Sequence, residues 1–378
     1  MRPVKKCGRR IPPARYDAEL KRAAATRAGT GRDTHSSEFS DHVSRRIPIY
    51  RLIELCDAAH MTRPRAHIAP PDLAGNYHCV QRCVRRAFLC GNDEYSGRSF
   101  EHRKGWIEAR IHLIAACFAV SVHAYAVMSN HLHLVLRIDP EEASVWGDDE
   151  TAERWLRLLP PRQDCETATD EKRMRLLADP ARLDLIRQRL GSLSWLMRCL
   201  AEPIARRANR EDGCKGRFWE GRYKCQALCD ERSVVAAMAY VDLNPIRAGI
   251  ADRLDASAHT SAARRIADAQ SKPAILARSL RPIAGDLRPS FDINAADYLQ
   301  LLDWTGRTLA SGKPGRIAGN APPVLSVIDR DANRWATRVA AFGSGWARAV
   351  GSAQDLTALA ERLGQRWMKG IRLATKLG

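Results

Sequence analysis

Val122–Arg137 reads Val-His-Ala-Tyr-Ala-Val-Met-Ser-Asn-His-Leu-His-Leu-Val-Leu-Arg. Two apolar runs flank the polar pair Ser129-Asn130, a pattern that predicts two buried strands joined by a tight turn. Side chains alternate along a strand, so His131 and His133 leave on one face and Leu132 on the other. Two imidazoles side by side at a strand end are half of a metal site. They are equally the polar end of an ordinary strand, and a His-x-His triplet alone does not decide between the two.

A second stretch bears on that choice. Ser233–Gly249 reads Ser-Val-Val-Ala-Ala-Met-Ala-Tyr-Val-Asp-Leu-Asn-Pro-Ile-Arg-Ala-Gly. It predicts a helix capped by Asp230 or Ser233, with Val234, Val235, Met238, Tyr240, Val241 and Leu243 as apolar content. Tyr240 and Asn244 are four apart and share a helix face. Pro245 biases Asn244 against continuing the helix. A phenol and an amide facing two histidines would set a nucleophile beside a metal. The plainer alternative makes Tyr240 a core aromatic and Asn244 a C-terminal cap.

Together the two stretches resemble the single-tyrosine HUH transposases, and within them the REP-associated tyrosine transposases. His131-Leu132-His133, preceded by Asn130, is similar to the His-hydrophobic-His motif. Asn76-Tyr77-His78-Cys79-Val80-Gln81-Arg82 looks like the family's first strand. Gly216-Arg217-Phe218-Trp219-Glu220-Gly221-Arg222-Tyr223-Lys224 resembles its basic, Gly-aromatic signature before the last strand. Tyr240–Gly249 resembles its tyrosine helix, and order and spacing agree over roughly residues 61–250. Asp242 departs from the family, which usually has His there. It should point off the Tyr240/Asn244 face and tune the site rather than disable it.

The resemblance implies an α+β fold, a ferredoxin-like antiparallel sheet with packed helices, the HUH nuclease palm. It implies a metal-dependent single-strand DNA endonuclease and strand transferase acting on hairpin-containing DNA. Tyr240 would be the nucleophile, giving a 5′-phosphotyrosine and a free 3′-hydroxyl. His131, His133 and Asn244 would hold the divalent ion. Mixed nitrogen and oxygen donors suit Mg2+ or Mn2+.

Lys and Arg number 61 against 43 Asp and Glu, a net charge of +18. Such a balance points to a polyanion, and nucleic acid is the default. The expected partner is DNA, single-stranded with a hairpin, bound by a monomer or homodimer without a small-molecule cofactor. No apolar run reaches the roughly 18 residues of a membrane span, and the N-terminus lacks the apolar core of a secretory signal. The expected setting is the bacterial cytoplasm, at the nucleoid when bound. The 11 Cys include no Cys-x-x-Cys. Cys79/Cys83 and Cys225/Cys229 lack zinc-ligand spacing and read as small buried residues in a reducing cytosol.

Along the chain, residues 1–60 read as a disordered basic arm without apolar periodicity, and Met61 as a plausible start. Tyr77–Arg82 predicts a strand, followed by Arg85 and Arg86. Ser99–Val120 predicts an amphipathic helix with Trp106, Ile107, Ala109, Leu113, Ile114 and Cys117 inward. Residues 139–179 read as an acidic insertion, and 180–209 return to helical periodicity. Then Arg206, Arg207, Arg210, Lys215, Arg217, Arg222 and Lys224 interleave with Phe218, Trp219 and Tyr223. Together with Arg82 they form the expected DNA surface, cations on phosphates and exposed rings stacking on unpaired bases. Tyr223–Cys229 predicts the last strand, 251–290 a linker, and 291–378 a small helical domain, the C-terminal helical extension.

Two other functions compete. Relaxases and replication initiators of the HUH type commonly carry a longer His cluster or two tyrosines near the active helix, and only Tyr240 is present. A transposase-derived DNA-binding regulator that has lost catalysis would show substitutions at His131, His133, Tyr240 or Asn244, and all four suitable residue types are in place.

Overall fold

A computed structural model of the protein describes residues 68–84, 89–93, 97–163, 165–285, 291–310, 322–329, 331–344 and 347–377. The N-terminal arm, Met61, Arg85 and Arg86 lie outside these residues.

Six strands form one sheet: β1 (Gly75–Arg82), β2 (Val120–Val127), β3 (His131–Ile138), β4 (Lys224–Leu228), β5 (Ala284–Gly285) and β6 (Ala349–Val350). Their spatial order is β5-β2-β3-β1-β4-β6. The central four, β2-β3-β1-β4, are antiparallel throughout. With a helix between β1 and β2 and helices between β3 and β4, this is the ferredoxin-like arrangement. The predicted hairpin is present, with its turn at Ser129-Asn130 and Ala126 opposite His133.

The first face of the sheet is covered by α1 (His102–Ala115) and the helices between β3 and β4. These are α2 (Pro140–Ser144), α3 (Asp148–Leu158), α4 (Glu166–Leu177), α5 (Pro180–Leu190) and α6 (Leu193–Glu211). Ile107, Ile111 and Ile114 of α1 meet Tyr77, Cys79, Leu132 and Leu134 from the strands. Cys79, Cys83 and Cys225 are buried, and Cys229 is half-buried. The acidic insertion folds as α2–α4 and packs Trp146, Trp155 and Leu156 into this same core. Its charges lie outward, in pairs such as Arg154–Glu150 and Arg173–Asp149.

The second face carries α7 (Glu231–Asp242) and the four-residue α8 (Asn244–Arg247). The Asp230 side chain caps α7, accepting from Ser233 N at 2.7 Å. Residues Ser233–Ala239 of α7 are all buried. Ala236, Ala237 and Ala239 let it approach the sheet closely, where it meets Ala124, Ala126 and Val135.

The outer side of α7 is covered by residues that the sequence assigned to a linker and a separate small domain. The structure corrects both assignments. Within 251–290, α9 (Ser261–Ser271) packs on β2, and β5 pairs with Ser121 and Val122. Within 291–378, α10 (Ala295–Ala310), α11 (Val324–Ile328) and α12 (Ala332–Ser344) bury Tyr298, Leu301, Trp335 and Val339 in one core with α7. β6 then joins the sheet parallel to β4, followed by α13 (Ala353–Arg362) and α14 (Ile371–Leu377). A helix apolar on every side must be covered on every side, and α7 recruits the C-terminal segment for this.

Asp242 is fully buried in that joint. Its carboxylate accepts from Ser261 Oγ, from Ala262 N at 3.0 Å and from the Tyr298 hydroxyl at 2.7 Å. It lies off the Tyr240/Asn244 face, as expected. Its contacts dock α9 and α10 onto α7, so the departure from the resembled family has a structural reason here.

Candidate active site

Directly opposed residues in an antiparallel pair share a face. The register sets Arg82 opposite His131, Val80 opposite His133, and Gln226 opposite His78. His78, His131, His133, Arg82, Lys224 and Gln226 therefore share the face that α7 covers.

The structure brings the expected site residues together. The ring centroids of His131 and His133 are 4.7 Å apart, and Tyr240 lies edge-on to His133 at 5.7 Å. Asn244 Nδ2 stands 3.1 Å from His133 Nε2. The Asn244 side chain lies close enough to the Tyr240 phenol to favour its ionised form. Although α7 ends at Asp242 and α8 begins at Asn244, Leu243 between them keeps helical backbone angles, and Tyr240 and Asn244 both meet His133.

Each imidazole of the His-x-His pair has a partner at Nδ1. His131 Nδ1 faces Asn130 Oδ1 at 2.5 Å, and His133 Nδ1 faces His78 Nε2 at 3.0 Å. A carbonyl oxygen accepts only, so His131 carries its proton on Nδ1 and its lone pair on Nε2. Orientation of one ring nitrogen by a neighbour, leaving the other to ligate, is the usual arrangement around a protein-bound metal. Burial, with Arg82 nearby, lowers the His131 pKa to about 4. Burial and the neighbouring His131 hold His133 well below its ordinary value. Both imidazoles are thus neutral at pH 7, the form that ligates.

These residues fit a divalent cation. Nitrogen or oxygen atoms sharing an octahedral ion lie roughly 3 Å apart, close to the Asn244–His133 separation. The Asn244 amide presents its oxygen in place of Nδ2 by turning over. Among the described residues no cluster of three His, Cys, Asp or Glu is arranged to hold a metal. Asn244 is the protein group placed to add a third donor beside the two imidazoles.

Three participants escaped the sequence reading. His78 stacks on His133, with centroids 5.2 Å apart and planes 11° from parallel. Arg247 lies with its guanidinium carbon 4.8 Å from the Tyr240 ring centroid. Tyr240, Asn244 and Arg247 stand at i, i+4 and i+7, one helical face, and that spacing was a usable signal. Phe342, from the end of α12, lies 5.8 Å from both Tyr240 and His78. Nothing local in the sequence links Phe342 to a residue a hundred positions earlier. Burial pushes the Tyr240 phenol above its ordinary pKa, while the Arg247 charge and the nearby Asn244 side chain oppose that shift.

The expected DNA surface is only partly realised. Phe218 is 2% exposed, and Trp219 and Tyr223 are each 9% exposed. Their role as exposed stacking platforms is therefore corrected. Trp219 Nε1 donates to the Ala201 carbonyl at 2.8 Å, and the Tyr223 hydroxyl meets Ser194 Oγ at 3.4 Å. These rings pin the 213–223 loop to α6. The cations stay accessible and are spread over a helix, a loop and two strands. Arg206, Arg207 and Arg210 lie on α6, over the first face of the sheet. Arg206 pairs with Glu202, and Arg207 stacks on Trp106 at 3.7 Å. Lys215, Arg217 and Arg222 project from the loop, while Arg82, paired with Glu220 at 3.7 Å, and Lys224 share the imidazole face.

No family model matches the chain, and no curated protein matches it. A solved structure described as "Structure of the REP associates tyrosine transposase bound to a REP hairpin" is 13% identical, with a TM-score of 0.29, covering 63% of this chain and 100% of that one.

Proposed function

We propose that the protein is a divalent-metal-dependent endonuclease and strand transferase for single-stranded DNA containing a hairpin, with Tyr240 as its nucleophile. The observation that carries this reading is the convergence of the Tyr240 phenol, the Asn244 amide and two neutral imidazoles.

Displacement at phosphorus needs a placed nucleophile and positive charge near the non-bridging oxygens. The Tyr240 oxygen forms its bond to phosphorus as the bond to the 3′ oxygen breaks. The phenolic proton ends on that oxygen through solvent, leaving a 5′-phosphotyrosine and a free 3′-hydroxyl. Burial keeps the phenol protonated at rest, and Arg247 and Asn244 stabilise the developing phenolate. His131, His133 and Asn244 would hold a divalent cation, which would supply Lewis-acid chemistry at the scissile phosphate. Arg82 and Lys224, on the same face, can hold flanking phosphates. The covalent link retains the phosphoester, so a second 3′-hydroxyl can reverse the step and rejoin strands. Strand polarity and the hairpin come from the resemblance in the sequence.

Incubation of the protein with a library of single-stranded hairpins and Mn2+, followed by denaturing detection of covalent adducts, tests the reading. Mass spectrometry should place the adduct on Tyr240. Tyr240→Phe removes only the hydroxyl and should abolish the adduct while hairpin binding persists. An adduct on Tyr223 or Tyr125, or cleavage by Tyr240→Phe, refutes the assignment. A folded protein that binds hairpins and forms no adduct is a regulator instead.

A further inference from the structure

His133 stands at one end of a row of side chains that crosses the sheet. Its Nδ1 faces His78 Nε2 at 3.0 Å. His78 Nδ1 faces Gln226 Oε1 at 3.4 Å, and Gln226 Nε2 donates to the carbonyl oxygen of Ala347 at 2.7 Å. That last contact sets the direction of the whole row. A backbone carbonyl can only accept, so Gln226 must turn its N–H toward Ala347 and its oxygen toward His78. An amide oxygen can only accept, so His78 carries its proton on Nδ1 and its lone pair on Nε2. His133 must then place its proton on Nδ1, and its Nε2 lone pair faces Asn244. Every donor meets an acceptor, and no member needs a charge.

We propose that His78 is a positioning residue of the divalent-cation site: with Gln226, it transmits the polarity of the Ala347 carbonyl to His133 and keeps His133 Nε2 unprotonated and aimed at the ion. The proposal rests on the reading that His131, His133 and Asn244 bind a divalent cation. It also gives the C-terminal segment a part in that site, since the fixed end of the row is a backbone group leading into β6. A neutral imidazole without such a partner exchanges between tautomers, and in one of them Nε2 carries a proton and cannot ligate.

The test uses full-length protein without DNA. His78→Phe keeps a ring of similar shape stacked on His133 but removes the acceptor. His78→Gln returns an oxygen acceptor near the position of Nε2. Mn2+ affinity, read from the electron paramagnetic resonance signal of the free ion, should fall roughly 10–100-fold in His78→Phe. His78→Gln should recover most of that loss. In metal-free protein, the ring 15N shifts of His133 should show the proton on Nδ1 in the parent and a mixture of tautomers in His78→Phe. If His78→Phe does not fold, Gln226→Met should shift both readouts in the same direction from one residue further away. Mn2+ binding that is indifferent to these substitutions, or a parent His133 protonated on Nε2, overturns the proposal alone. A parent that binds no Mn2+ overturns the cation reading and the proposal with it.

Discussion

Asp242→Ala removes the acceptor of three hydrogen bonds that dock α9 and α10 onto α7. It leaves the Tyr298 hydroxyl and the Ala262 N–H buried without their partner. A hydrogen bond to a charged acceptor contributes about 1.5–3 kcal/mol. Part of that gain is offset in the parent, because burial raises the Asp242 pKa and so penalises the carboxylate. The net loss should be about 3–5 kcal/mol, a large share of the roughly 5–15 kcal/mol that holds a typical domain together. Asp242→Asn keeps one acceptor oxygen, and its amide can donate to a reoriented Tyr298 hydroxyl. It also removes the charge that burial penalises, so it should cost only about 1 kcal/mol. Histidine, usual here in the resembled family, offers one acceptor nitrogen in place of two oxygens and should behave more like alanine. Urea denaturation followed by far-UV circular dichroism measures the difference. With a slope of about 3 kcal/mol per molar urea, alanine should lower the midpoint by at least about 1 M and asparagine by about a third of that. An alanine variant within about 0.5 kcal/mol of the parent, or asparagine as damaging as alanine, would refute the docking argument.

Replacing Arg217, Arg222 and Lys224 together should weaken hairpin binding and lower the slope of log affinity against log salt by roughly 2–3, because up to three phosphate contacts disappear; an unchanged slope in a folded variant sinks that assignment. His78 and His123 are buried, with pKa values lowered from 6.5 to about 4 and about 3. Their stabilising contribution is present above pH 6.5 and lost as pH falls toward 4 for His78 and 3 for His123, a fall of roughly 3–5 kcal/mol for each. His123→Phe, which can keep the packing against Phe291, should flatten part of the acid limb of a metal-free stability profile; an unaltered limb argues against the burial cause.

The palm was legible because its elements announce themselves locally. Alternation around His131-Leu132-His133 gives the strand and its face, and the spacing of Tyr240 and Asn244 gives the second half of the site. The stacking role of Phe218 and Trp219 failed for a physical reason. Aromatic rings between cations read alike whether they face solvent or anchor the loop that carries those cations, and only the tertiary contact with Ala201 separates the cases. The extent of the C-terminal segment was hidden in a signal that α7 itself contains. Ser233–Ala239 has no wet face, so the chain had to provide a second layer over it. Which residues supply that layer depends on pairings across more than fifty positions, such as Asp242 with Tyr298, and no local pattern encodes those.

The segment after residue 250 also settles how the sheet meets its surroundings. On the outer side of β2, Ile283 N donates to Val122 O, Tyr125 N donates to Ser261 Oγ, and Val127 N donates to His259 O. On the outer side of β4, Ala227 N and Cys229 N donate to the carbonyls of Arg348 and Val350. Both borders of the four-stranded palm thus spend backbone groups on the protein's own chain. Bare strand borders are templates for self-association and fibril growth. A fragment cut near Gly249 would uncover both at once, beside the apolar outer side of α7. It should come out of the cell as strand-paired multimers or insoluble material rather than as a smaller folded unit.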